Sequence, residues 1–344
     1  MFTYLVTGGA LLAVIASPLI HYALDPKGLR RYPMPSVAAL TPLWQMYYNW
    51  RGDKFIAVDK AHKRLGSVVR LGSNHVSFSS PQAFKDIYGH GTSVRKDTFY
   101  DNQASGNPNM ADATDKDVHR QKRRNLAHVF SPAKITEMEP RVMQVVRKLV
   151  AALELKSRGL QISDTDRFPA KDGIFDVRPW LNMFSYDAIT NVFWSQTYGF
   201  LDRGNDDCFA ERDDGTMLTV NAMHTFHTGA AHSVLIEPDL FSNLPTAATE
   251  KRSVPMSDEE IIAESAVMLN AGNDTTQTSL TNIMYYLARY RDIQDKLRNI
   301  LLQSLEPDNI PAAPYEVLRH IPYLRAVIDE SFRMQAPLEP ACLG

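Results

Sequence analysis

The chain has 344 residues, a formal net charge of −2, and 44% hydrophobic against 22% charged residues, which excludes a disordered chain or a multi-span membrane protein and allows a sizeable core. The near-neutral balance offers no basic field to gather nucleic acid, since the run His119-Arg120-Gln121-Lys122-Arg123-Arg124 is local. Two cysteines, Cys208 and Cys342, allow neither a disulfide framework nor a metal finger, and the folded part is expected in a reducing compartment.

Residues 2–24 contain no Lys, Arg, Asp or Glu, and at about 1.5 Å per residue a helix of this length spans a ~30 Å hydrocarbon core. The segment 1–24 is read as a transmembrane anchor. Lys27, Arg30 and Arg31 follow it and no basic residue precedes it, so everything after residue 25 is expected in the cytosol. A cleaved signal peptide is the competing reading, because Ala10, Ala13 and Ala16 are small; the missing basic n-region and the long apolar stretch favour the anchor. Pro33 and Pro35 stiffen 25–36 into a neck. No Gly/Ser linker or composition break interrupts 37–344, which is expected to form one large domain.

Residues 68–71 and 75–78, separated by Gly72-Ser73-Asn74, predict a short hairpin. Ser80-Pro81 starts a helix with serine as cap and proline in the first turn. Ser131-Pro132 repeats the device, and Ile135, Met138, Val142, Val145, Val146 and Leu149 then share one helix face. A helix is predicted over 177–194. Residues 199–229 are polar and acidic and read as loop with one short helix. Ser257-Asp258-Glu259-Glu260 is a capping box that starts a helix running to about residue 290, and further helices are predicted over 293–305 and 322–335. The fold class is mainly α with little strand.

The helix from residue 258 is apolar at both ends, but its middle reads Asn270-Ala271-Gly272-Asn273-Asp274-Thr275-Thr276-Gln277-Thr278, a run of poor helix formers. A local conflict inside a strong element is where function is expected. Gly272 lets something approach the backbone, Thr275 can bond a carbonyl of the preceding turn and open a groove, and Asp274 beside two hydroxyls could relay protons. A solvated helix face with a glycine flaw is the plain alternative. Glu330 and Arg333 lie three residues apart on one helix face, a spacing shared by many surface pairs. His224, His227 and His232 form a histidine cluster that reads as pocket roof or surface rather than a metal site.

Ala271-Gly272-Asn273-Asp274-Thr275-Thr276 resembles the oxygen-binding helix motif of the cytochromes P-450, and Glu330-x-x-Arg333 resembles their Glu-x-x-Arg motif, in the family's order and spacing. The apolar first segment with its proline neck is similar to that of microsomal members, and His119-x-x-x-Arg123 stands where the family has Trp/His-x-x-x-Arg. Residues 198–204 and 268–272 resemble the fungal group of benzoate 4-monooxygenases and pisatin demethylases. The resemblance implies a cytochrome P-450 fold with a small β-sheet behind one transmembrane helix, in the endoplasmic reticulum membrane with the globular part cytosolic. It implies a haem-thiolate monooxygenase that inserts one oxygen atom from O2 into an apolar or aromatic small molecule, with electrons from NADPH through a membrane-bound reductase. Ala271 and Gly272 would line the oxygen pocket, Asp274 and Thr275 would deliver protons, and His119 and Arg123 would meet the haem propionates. Glu330 and Arg333 would be structural.

The family holds its iron through a cysteine in a Phe-x-x-Gly-x-x-x-Cys-x-Gly loop. Cys342-Leu343-Gly344 matches the last three letters, but Gln335 and Leu338 stand where Phe and Gly are required. The axial cysteine is therefore expected to be missing, the fold incomplete and the chain as written inactive: a catalytically dead, membrane-anchored fragment is the alternative function. The stretch between Val234 and Ser257 also reads as loop where the family has further helices.

Overall fold

A computed structural model describes residues 16–89, 91–97, 100, 107–211, 215–223, 256–307 and 312–335. The chain divides into two compact units, with the boundary at Val94/Arg95.

In the first unit, residues 16–24 are helical, and no helix among the described residues is long and apolar enough to cross a membrane. Residues 1–15, which carry most of the expected anchor, lie outside the described residues. Helices α1 (Leu43–Arg51) and α2 (Lys54–Leu65) pack beside the hairpin β1 (Val68–Arg70) and β2 (Val76–Phe78). The antiparallel register pairs Val68 with Phe78 and Arg70 with Val76. A small core of Ala39, Trp44, Ala61, Val69 and Leu71 holds these elements. The buried Arg70 closes the turn, donating from Nε to the Gly72 carbonyl at 3.0 Å and from Nη2 to that of Ser73 at 2.8 Å. Helix α3 (Pro81–Tyr88) follows, capped by the Ser80 hydroxyl, which accepts from the Ala83 amide.

The second unit is helical around a central α6. Its helices are α4 (Lys116–Ala127), α5 (Pro132–Ser157), α6 (Arg178–Trp194), the short α7 (Phe200–Arg203), α8 (Asp258–Arg289), α9 (Arg291–Ser304), the short α10 (Tyr315–Leu318) and α11 (Pro322–Met334). Helix α6 carries apolar residues on every side, which is the pattern of a helix buried all round. Trp180, Leu181, Met183, Phe184, Tyr186, Phe193 and Trp194 are accordingly buried, with α5 and α8 packed against it. Of the stripe predicted on α5, Val145 and Leu149 reach this core with Met138 and Val146 packed on it, whereas Ile135 is exposed. Near the C-terminal end of α5, the fully buried Lys156 ammonium lies 2.7 Å from the Asp166 carboxylate and over the Trp180 ring.

The stretch expected to be loop with one short helix holds that helix, α7, and also an antiparallel hairpin, β3 (Asp207–Glu211) with β4 (Met217–Asn221). Asp206 anchors its base, accepting from the Met223 amide at 2.9 Å and from the Asn221 side chain. The histidine cluster at 224, 227 and 232 and the expected loop up to residue 255 lie outside the described residues, as does Cys342.

Candidate functional site

Helix α8 begins with the complete capping box: the Ser257 hydroxyl accepts from the Glu260 amide, and the Glu260 carboxylate accepts from the Ser257 amide. It continues unbroken through its polar middle for 32 residues. Two hydroxyls there donate back to the preceding turn, as Ser and Thr do in helices. Thr275 Oγ1 donates to the Ala271 carbonyl at 2.7 Å and Ser279 Oγ to that of Thr275 at 2.6 Å. The bond expected of Thr275 is present, and the helix ladder stays closed around it.

Gly272 answers to packing. A Cβ at this position would lie 2.7 Å from Cδ1 of Ile189, so the missing side chain lets α6 approach α8. Ala271 is exposed, while Asp274 and Thr275 are half-buried. Asp274 contributes, after burial and after Tyr198, Asp206 and Cys208, to raising the Tyr186 phenol above its ordinary value. Asn273 is buried, and neither its amide oxygen nor its nitrogen has a partner among the described residues.

Helix α4 starts on Asp115, whose carboxylate accepts from the amides of Asp117 at 2.8 Å and Val118 at 3.0 Å. At 100° per residue His119, Lys122, Arg123 and Leu126 share one face. Leu126 is buried, and Lys122 is 4% exposed with its ammonium 3.0 Å from Glu260 Oε1 and 3.4 Å from Glu264 Oε1. Glu264 is fully buried, and its Oε2 accepts from the Met110 amide at 3.1 Å. Burial holds its carboxyl above the ordinary value, against the Met110 amide and Lys122, which pull it down. Thus α4 is clamped to the first two turns of α8. Glu264, Met268, Ala271 and Thr275 share one α8 face within about 60° of arc, so the face that meets Lys122 presents Ala271 roughly 10 Å further along.

The α4 face is cationic. Lys96 Nζ donates to the carbonyls of Met110 at 3.1 Å and Ala111 at 2.7 Å. Burial lowers the His119 imidazole below its ordinary value, and Lys96 and Arg123 lower it further. Arg123 is exposed and makes no ion pair among the described residues.

On α11, Arg333 grips Glu330 through two bonds of 2.7 Å, and both side chains are more than half exposed. The pair does not share the α4/α8 face, and an exposed ion pair of this kind contributes at most ~1 kcal/mol. Helix α11 packs on α8 and α9, with Asn282 of α8 donating to the Gln335 carbonyl at 3.5 Å. Cys208 lies half-buried on β3, its thiol raised by burial and by Asp206 and Asp207. No cluster of His, Cys, Asp and Glu able to hold a metal occurs among the described residues.

The cytochrome P-450 family model matches residues 35–254 and 236–340. The chain belongs to the cytochrome P-450 family. It is 26% identical over 351 residues to a cytochrome P-450 monooxygenase of Penicillium oxalicum, covering 93% of this chain and 67% of that protein. It is likewise 26% identical over 361 residues to a benzoate 4-monooxygenase of Aspergillus niger, covering 90% and 68%. A cytochrome P-450 crystal structure superposes with a TM-score of 0.60 at 14% identity, over 81% of this chain and 69% of that one. The chain thus spans about two thirds of the length of these relatives.

The family implies haem, and the described residues fit it in part. The uncompensated Arg123 beside His119 suits a propionate pair, and the exposed Ala271 with Thr275 leaves a small, hydroxyl-bearing wall. The described thiol does not suit the axial position, because burial and two neighbouring aspartates oppose its ionisation. The sequence named the α8 motif, His119 and Arg123 as candidates; it gave no sign of the Lys122 clamp or the orphaned Asn273. Glu260 and Glu264 lie four residues apart on the α8 face that Lys122 meets, a spacing that by itself reads as a solvated helix face.

Proposed function

We propose that this chain builds the oxygen-side and propionate-side walls of the haem pocket of a haem-thiolate monooxygenase, one that inserts an oxygen atom from O2 into an apolar or aromatic small molecule. The observation that carries the reading is the α4/α8 pairing: one helix presents His119 and Arg123, the other Ala271 and Thr275, and Lys122 fixes the two together. Similarity to the benzoate 4-monooxygenase of Aspergillus niger supports an aromatic substrate. Electrons come from NADPH through a reductase, and residues 1–24 anchor the domain 37–344 at the endoplasmic reticulum through the neck 25–36.

Bound haem would supply O2 activation. Arg123 and His119 would hold its propionates, since a guanidinium suits a carboxylate. Ala271 keeps the wall low beside the oxygen, and Gly272 sets the α6 spacing that supports it. The Thr275 hydroxyl holds its proton on the Ala271 carbonyl at rest and can turn it toward the pocket, with Asp274 as the acid that resupplies it. The chemistry haem would supply places one oxygen atom of O2 in the product and the other in water, with two protons and two electrons taken up. Glu330 and Arg333 brace α11 away from the chemistry.

The second reading, a chain without monooxygenase activity, is favoured by the state of Cys208. A reduced carbon-monoxide difference spectrum of the chain with added haem separates the two. A red-shifted Soret band shows thiolate ligation and the monooxygenase; a band at the unshifted position shows haem held without thiolate and makes this polypeptide inert.

A further inference from the structure

The turn 107–113, which leads into α4, is held by side chains rather than by a helix or sheet ladder. Asn109 builds it from within. Its Oδ1 accepts from the amides of Ala111 at 2.8 Å and Asp112 at 3.2 Å, its Nδ2 donates to Asp112 Oδ2 at 2.7 Å, and its main-chain carbonyl accepts from the Ala113 amide at 2.9 Å. From outside, two charged side chains grip Met110 at both ends of its main chain. The Met110 amide donates to Glu264 Oε2 at 3.1 Å, and the Met110 carbonyl accepts from Lys96 Nζ at 3.1 Å, the same ammonium reaching the Ala111 carbonyl at 2.7 Å.

Glu264 thus serves two stretches of chain with its two oxygens. Oε1 lies 3.4 Å from the Lys122 ammonium in the middle of α4, and Oε2 holds the turn that launches α4. The two contacts differ in kind. Lys122 reaches across on a flexible stem, so the ion pair sets a separation loosely. The Met110 amide is part of the main chain and its hydrogen bond is directional, so it fixes a position. A helix tied only at Lys122 can pivot about that tie; a second tie ahead of Lys116, where α4 begins, removes the pivot. His119 lies between the two ties, about one turn before Lys122. Burial lowers its imidazole below the ordinary value, and Lys96, gripped to the same turn, lowers it further.

We propose that Glu264 is a positioning residue for the cofactor-facing side of α4, acting through the Met110 amide: the ion pair with Lys122 holds the helices together, while the Met110 bond sets where His119 and Arg123 stand. Side chains that must meet a ligand keep their geometry only when the main chain beneath them is locked in this way. The inference rests on the haem pocket proposed above, and the two can fail separately.

The test compares two double variants of the full, vesicle-bound chain with wild type. Lys122→Met/Glu264→Gln and Lys122→Met/Glu264→Met both lack the ion pair. Glutamine keeps a carbonyl oxygen for the Met110 amide but buries an NH2 group; methionine offers no acceptor and buries no polar group. Stability and cofactor binding should therefore rank the two in opposite order. The glutamine variant is expected to melt at or below the methionine variant, yet to keep its haem affinity, by Soret titration, within about threefold of wild type. The methionine variant should bind haem at least about tenfold more weakly. Hydrogen exchange of the peptide covering 107–113, read by mass spectrometry without haem, should stay at the wild-type rate with glutamine and run at least about tenfold faster with methionine. Equal haem affinity in the two variants, affinities that follow Tm, or equal exchange rates overturn the positioning role and leave the pocket standing. Wild type that fails to bind haem overturns the pocket, and this role with it.

Discussion

Replacing Lys122 by Met removes the cation that joins α4 to α8 while keeping most of the side-chain volume. The wild-type ammonium serves two carboxylates, at 3.0 Å from Glu260 and 3.4 Å from Glu264. Glu260 is 32% exposed and can be rehydrated, so its share is small; Glu264 is 0% exposed and would be left as an uncompensated buried charge. Breaking a buried pair on one side costs about 3–5 kcal/mol. For a unit of this size that is roughly 6–20 °C in Tm. The loss depends on pH. Burial holds Glu264 above the ordinary 4.5, so its contribution is full below that value and is lost as pH rises through its folded pKa. Without Lys122 the folded pKa rises further and the loss extends to higher pH. Glu260 lies below its ordinary value despite burial, because Lys122 and the Ser257 amide outweigh it, so its share is present above 4.5 and disappears as pH falls. Both effects make the gap between wild type and variant widest near neutrality and narrow toward pH 4. Of the other ionisable groups facing Glu264, Lys96 keeps its charge, while Asp112, already raised by burial, loses the pull of Lys122 and rises further, which widens the gap in the same direction. Thermal melts of the vesicle-bound chain by tryptophan fluorescence, between pH 4 and 8, measure it, and Lys122→Met with Glu264→Met should recover most of the loss. A Tm drop under 2 °C, or a gap that does not change with pH, would refute the clamp.

Gly272→Ala should destabilise by about 1 kcal/mol despite alanine's better helix propensity, because its Cβ meets Ile189 Cδ1. In that background Ile189→Val should raise Tm, whereas in wild type the same change should cost ~1 kcal/mol. Asn273→Leu should stabilise by about 1–3 kcal/mol, since it replaces a buried amide with no partner among the described residues; a lower Tm would mean that the amide has a partner. Lys156→Met should cost about 3–5 kcal/mol by stranding Asp166. Burial pushes Asp166 up, but Lys156 and the Ile162 and Phe168 amides outweigh it and hold the carboxyl below 3.8. Its contribution is therefore present above that value and lost as pH falls through the folded pKa, and acid titration of the wild type should show that loss.

What could be read from the sequence was what local chemistry decides. Ser80, Ser131 and the Ser257–Glu260 box cap the helices they announce, because a cap is a short-range hydrogen bond. The predicted helix over 177–194 matches α6 to within a residue, since its apolar content leaves no other state. The hairpin β3–β4 escaped because its strands lack clean alternation and its pairing with Asp206 is made by polar groups that also suit loops. The clamp escaped for a related reason. Lys122 sits in a run of basic residues that reads as solvated surface, and only the contact with Glu264, 142 positions on, decides that this one is buried. Gly272 was correctly read as a place of close approach, but the approaching group is Ile189 of α6, which no spacing in the sequence reveals.

Whether the α8 face bearing Ala271 lines a haem pocket with α4 is measured most directly by haem affinity, from Soret titration of the reconstituted chain. Ala271→Trp fills that face; Ala288→Trp places the same bulk at another exposed position of α8. Ala271→Trp should bind haem at least tenfold more weakly, with Ala288→Trp indistinguishable from wild type. Equal affinity for wild type and both variants would contradict that lining.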